Sequence, residues 1–151
     1  MKYTSVFTVL IIAASAFAQR AVIGEPKPWD TVRVGKSFKA RMDTPDSDPN
    51  KVEHVHLTVS IKPCEYLEGA GDKCFTSDGY GTILYDGKYK PTYNSKKPEL
   101  PPHDTLTVKI PDDFPLGNAL IESWHEAIVG GDRDHPYYDS DSVEVVVVDR
   151  K

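Results

Sequence analysis

The chain has 151 residues and carries 18 Lys and Arg against 23 Asp and Glu, a formal net charge of −5. That balance excludes a nucleic-acid-binding or polybasic membrane-surface protein as the first reading. No apolar run after the amino terminus reaches membrane-spanning length, and no apolar carboxy-terminal tail of the lipid-anchor type is present.

Residues 1–18 read as a secretory signal peptide: Lys2 gives a basic start, 6–18 are almost wholly apolar, and Ala16-Phe17-Ala18 is a small-residue cleavage pattern. Cleavage before Gln19 leaves a domain at 19–151 of roughly 130 residues, enough for one core. In a secreted chain the two cysteines, Cys64 and Cys74, are expected to pair. Closing so short a loop stabilises by roughly 2–3 kcal/mol on the chain-entropy estimate. Their spacing fits neither a redox C-x-x-C nor a zinc pattern.

After a short apolar start at 21–24 and a proline-rich turn, Phe38, Ala40 and Met42 alternate with Lys39 and Arg41, the period-2 pattern of a half-buried strand. Residues 43–50 form a polar loop. The clearest strand is 52–61, with Val55, Leu57, Val59 and Ile61 on the core face and His54, His56, Thr58 and Ser60 opposite. A strand at 80–85 ends at Asp86-Gly87, and the four prolines of 88–103 mark a surface connection where the chain crosses between sheets. Residues 105–110 alternate again, 111–117 have corner chemistry, and 118–129 are compatible with a long strand. A polar loop is expected at 130–141, and the valine run at 143–148 closes the chain as a strand lying between neighbours. These elements predict an all-β fold: a small immunoglobulin-like antiparallel β-sandwich of about seven strands with one disulfide.

Candidate chemistry is sparse. His54 and His56, about 7 Å apart along a strand, are weak metal candidates that need a third ligand from elsewhere. A copper brace on an amino-terminal histidine is excluded when Gln19 is the first mature residue. Glu122, Trp124 and Glu126 share one strand face and read as surface. Asp132, Asp134, Asp139 and Asp141 lack a calcium-loop pattern. No nucleophile elbow, phosphate loop or dinucleotide fingerprint occurs, so a non-enzymatic chain without cofactor is expected. Tyrosines beside lysines suit an interface better, since one end of the ring is apolar and the other hydrogen-bonds. The candidate partner-binding residues are Tyr85, Lys88, Tyr89, Lys90 and Tyr93, with Asp132, Tyr137 and Tyr138 in the later acidic stretch.

The stretch GTILYDGKYKPTY at 81–93 resembles the G-x-(V/I)-L-Y-(N/D)-G-x-(Y/F)-x-P-x-Y block of the necrosis-inducing secreted proteins of plant-associated fungi. The resemblance continues through KKPELPPHDTLTVKIPDDFPLGNA at 96–119 and, in order, takes in Val34-Gly35-Lys36, the strand ending at Cys64, His125 and Ile128-Val129-Gly130. It implies an immunoglobulin-like, monomeric effector that binds and inhibits plant immune receptor-associated kinases, suppresses pattern-triggered immunity and provokes cell death in some hosts. Such an effector is secreted and then acts in the host cytoplasm. The acidic 122–142 region departs from the family pattern. His125 matches a family histidine, but it shares a strand face with Ile121 and Val129 and reads as a hydrogen-bonded core residue. The alternative from another class is a carbohydrate-binding or cell-wall-associated β-sandwich module.

Overall fold

The structure, a computed structural model, describes residues 20–45, 52–64, 74, 79–129 and 136–150. The signal peptide, Asp132 and Asp134 lie outside these residues. Among them are eight strands: β1 Val22–Glu25, β2 Thr31–Arg33, β3 Ser37–Asp43, β4 Val52–Pro63, β5 Thr82–Gly87, β6 His103–Lys109, β7 Gly117–Val129 and β8 Pro136–Val148. They form a three-stranded sheet in the order β1-β3-β6 and a five-stranded sheet in the order β2-β8-β7-β4-β5. The all-β sandwich expected from sequence is present, with the disulfide between Cys64 and Cys74. Every pairing is antiparallel except β2 with β8, which run parallel.

The alternating patterns fill the space between the sheets. Ala40 and Met42 of β3 and Leu106 and Val108 of β6 face Leu57, Val59 and Ile61 of β4, Ile121 of β7 and Val143, Val145 and Val147 of β8, all buried. Apolar area removed from water on both inner faces is the main stabilising term of such a layer pair. In chain order the described strands change sheet between β1 and β2, β2 and β3, β3 and β4, β5 and β6, and β6 and β7, and the last two crossings frame the site. Residues 88–102 carry the chain from β5 to β6, as the prolines foretold. Residues 110–116 carry it from β6 to β7, where buried Ile110 and Phe114 plug the corner.

Two glycines are required by geometry. Gly35 turns β2 into β3 at φ +67°, a conformation that costs an L-residue energy, and its amide donates to the Ile110 carbonyl at 2.9 Å. Gly81 passes so close to β4 that a Cβ there would lie 2.3 Å from the Ile61 carbonyl oxygen.

Three expectations need correction. The stretch read as a polar loop at 130–141 is already strand from Pro136, so Tyr137, Tyr138, Asp139 and Asp141 sit on β8. The start of the chain, read as an apolar lead and a turn, contributes the short strands β1 and β2, and the eight described strands agree with the expected sandwich of about seven. Last, the 54–61 face assignment breaks at its first residue. His54 pairs with Ala127 while His56 pairs with Glu126, leaving Val55 as the extra residue of a bulge. The bulge turns His54 onto the core face, and His56 remains outside.

Candidate functional site

The segment between β5 and β6 is held at several points. Tyr85 is half-buried, and its hydroxyl donates to the Lys88 carbonyl at 2.6 Å. Tyr89 is 1% exposed. Its hydroxyl donates to the Met42 carbonyl at 3.0 Å and lies 2.5 Å from the buried Thr44 hydroxyl, which completes the set as donor. Burial raises the phenol's pKa, with the nearby carboxylates of Asp43, Asp104 and Asp139 adding to the effect against the Thr44 contact. The Lys90 amide donates to Asp104 at 3.2 Å, and Thr92 exchanges two backbone hydrogen bonds with His103 at 2.9 and 3.1 Å. Between these ties Lys88, Lys90, Thr92 and Tyr93 are exposed, Tyr93 at 71%. A stretch that reads as an open loop is a braced surface.

Beneath Tyr89 lies a chain of polar rings. His54 Nδ1 is 3.0 Å from His125 Nε2, and His125 Nδ1 is 3.4 Å from Asp139 Oδ2. The Tyr89 ring meets His54 and His125 edge-on at 5.1 and 5.3 Å between centroids. With both imidazoles neutral, one tautomer set satisfies the chain. His125 donates from Nδ1 to the carboxylate and accepts at Nε2 from His54 Nδ1–H, leaving His54 Nε2 with its lone pair. Burial, reinforced by His125 and opposed by Asp139, lowers the His54 pKa to about 4. His125 is 2% exposed, the hydrogen-bonded core histidine the sequence suggests.

The order carboxylate–imidazole–imidazole is one that can orient a base. Among the described residues, however, no hydroxyl or thiol is hydrogen-bonded to His54 Nε2; the nearby Thr44 hydroxyl is engaged by Tyr89. No three His, Cys, Asp or Glu side chains converge as a metal set among those residues. His56, the other half of the proposed metal pair, contacts Asp86. The bulge therefore separates the two histidines that the sequence placed together.

A cleft of about 260 Å³ opens above this cluster, lined by His54, Tyr89, Lys90, Thr92, Tyr93 and the prolines 91 and 102. It brings together Lys90 and Tyr93 from the candidate interface. It does not include Tyr137 or Tyr138. Tyr138, 66% exposed, lies opposite Glu126 and hydrogen-bonds its carboxylate at 3.3 Å. Tyr137 pairs with Ala127 and is half-buried, and burial raises its pKa, with Asp139 adding. The candidate Tyr89 is withdrawn from the surface: a side chain with 1% exposure is an anchor, not a contact.

Three acidic side chains also take unexpected places. Asp139 and Asp141 accept the backbone amides of Ala21 and Ile23 at 3.1 and 2.8 Å, fastening the start of the chain to β8. Glu122, expected on a surface, is 4% exposed and lies 2.6 Å from Lys62 Nζ in an ionic contact outside hydrogen-bond angles. Thr44 escaped the sequence reading, and Asp139 was weighed there only as one of four candidate calcium ligands. Neither has a pattern of its own, and both gain a role only through partners 14 or more residues away.

No protein-family model matches the chain, and no curated protein does. Among solved structures, it is similar to a cellulose-active polysaccharide monooxygenase from M. thermophila, with a TM-score of 0.51 and 15% identity over 80% of this chain. The match spans 54% of that enzyme, about half its length. At this identity the likeness concerns the β-sandwich fold.

Proposed function

We propose that this chain is a secreted β-sandwich effector that binds and inhibits plant immune receptor-associated kinases. Its contact surface is the braced segment 88–93 beside the His54 cleft. The observation that supports this reading is the division of the GTILYDGKYKPTY block. Tyr85 and Tyr89 turn inward and are hydrogen-bonded, so that Lys88, Lys90 and Tyr93 stand out from a fixed backbone. A preorganised surface costs little ordering entropy on binding, and an exposed tyrosine beside lysines has the composition of an interface. In this reading the protein is a monomeric binder without cofactor. It inhibits by covering its target, acts in the host cytoplasm after secretion, and leads from immune suppression to host cell death. The test is a pull-down of purified receptor-associated kinase domains by the disulfide-intact protein, with substrate phosphorylation followed in the same samples. Binding with reduced phosphorylation is the expected result; folded protein that retains no kinase removes the reading.

The second reading, a carbohydrate-binding or wall-associated module, is supported by the fold likeness to a cellulose-active enzyme and by a pair of rings, exposed Tyr80 and half-buried Trp124. Tyr80 and Trp124 meet at 4.5 Å, but with planes 68° apart they offer a sugar no common flat platform. Retention on a wall polysaccharide column separates the two readings, since the effector passes through.

A further inference from the structure

Charge is distributed unevenly in this acidic chain. Arg20, Arg41, Lys62, Lys109 and Arg150 each sit against a carboxylate. From position 88 to 98 the sequence holds four lysines and no Asp or Glu. Lys88, Lys90, Lys96 and Lys97 are exposed and form no ion pair among the described residues. Four lysines on one segment of a net-negative molecule favour an anion there, against the Asp104 carboxylate that accepts the Lys90 amide.

The same segment supplies the wall of the cleft. Its volume of about 260 Å³ is many times that of one water and suits one side chain better than a polymer strand. Pro91, Pro102 and the Tyr93 ring give it apolar sides, while Lys90, the Thr92 hydroxyl and His54 give it polar groups. With Nδ1 of His54 committed to His125, Nε2 is the nitrogen left for a ligand. Because burial holds His54 neutral, Nε2 accepts a hydrogen bond from the protonated oxygen of a phosphate monoanion.

We infer that this cleft receives a phosphorylated side chain of the partner protein, with its phosphate met by Lys90, Thr92 and His54 and its stem lying against Pro91, Pro102 and Tyr93. The inference rests on the reading of the chain as a protein-binding effector and narrows it to partners carrying a phosphate monoester. A phosphate brings up to two negative charges and three acceptor oxygens, which the Lys90 ammonium at the cleft holds more strongly than it holds a single carboxylate. The apolar walls suit an aryl stem best, so phosphotyrosine is the preferred form. An acidic polysaccharide would need an extended groove in place of this short one.

The experiment is an amide and imidazole NMR titration of the disulfide-intact protein with N-acetyl-phosphotyrosine amide. N-acetyl-tyrosine amide, inorganic phosphate and a galacturonate oligomer serve as the other arms. Saturable shifts at Lys90, Thr92, Tyr93 and the His54 ring with the phosphorylated probe alone are expected. Lys90→Ala and Tyr93→Ala should each weaken them by roughly tenfold, the loss of one charge-assisted or aromatic contact. Both residues are exposed, so the variants keep the fold, which their spectra verify. Equal response to the unphosphorylated probe, response to inorganic phosphate of the same strength (an adventitious ion only), response to the galacturonate alone, or no shift at these residues overturns the inference. A parallel pull-down compares phosphorylated and phosphatase-treated kinase domains. Equal binding of both overturns the phosphate site while leaving the kinase reading in place. A cleft that binds the phosphorylated probe when no kinase is retained does the reverse.

Discussion

Replacing Tyr89 by Phe and Tyr93 by Ala separates anchoring from contact within one short segment. The Tyr89 hydroxyl is the hydrogen-bond partner of the Met42 carbonyl at 3.0 Å and of the Thr44 hydroxyl at 2.5 Å. Thr44 is fully buried, so no water replaces the lost oxygen. Leaving such a group unsatisfied costs about 1–3 kcal/mol. With a urea dependence typical of a small domain, Tyr89→Phe should lower the unfolding midpoint by about 1 M without changing the slope. Tyr89→Ala also opens a cavity among His54, His125 and Met42 and should cost about 3–5 kcal/mol. Tyr93, 71% exposed, should change stability by no more than about 0.5 kcal/mol when cut to Ala. Kinase binding should follow the opposite order: nearly intact in folded Tyr89→Phe, and much reduced in Tyr93→Ala. Equal stability of Tyr89→Phe and the parent protein, or a Tyr93→Ala loss as large as that of Tyr89→Phe, would refute the division of the segment.

Further outcomes follow from the buried groups. The His54 ring should titrate near pH 4 by NMR, because burial and His125 disfavour its charge more than Asp139 favours it. Between pH 4 and 6.5 the unfolded chain then holds more of this proton than the folded one. The ring's contribution is therefore complete above pH 6.5 and lost as pH falls toward 4, about 1–2 kcal/mol once solvent at the cleft is allowed for. A midpoint at 6 or above contradicts the burial argument. Glu122→Gln should destabilise the protein in urea unfolding, because a neutral amide replaces the buried carboxylate that faces the Lys62 ammonium at 2.6 Å; an unchanged midpoint would contradict this. Replacing Cys64 and Cys74, ten residues apart, by Ser should cost about 2–3 kcal/mol. An unchanged midpoint would show that the bridge constrains nothing in the unfolded chain.

Strand faces were legible wherever a period of two ran unbroken. The Leu57–Ile61 and Leu106–Ile110 patterns lie on the core as read, and the valine run sits between β7 and β2. The reading failed where a single residue changed the count. Val55 bulges, and its neighbour His54 passes from the metal-candidate face to the core. No local pattern announces a bulge, because its cause is pairing with β7, some 70 residues on. The tyrosines of 85–93 posed a similar problem: spacing alone did not tell which ring would find Met42 and Thr44. The acidic β8 residues were read as loop because alternating Asp and Ser resemble turn chemistry. Their carboxylates accept amides of the first strand instead, a long-range satisfaction that turn propensities do not encode.

The most direct measurement is the binding of purified plant receptor-associated kinase domains to the parent protein and to a Lys90→Ala/Tyr93→Ala variant, with phosphorylation followed in the same samples. Binding and reduced phosphorylation by the parent, both lost in a folded variant, are what the account predicts. Absence of kinase binding by the folded, disulfide-intact parent, or a variant that binds and inhibits equally well, would contradict it.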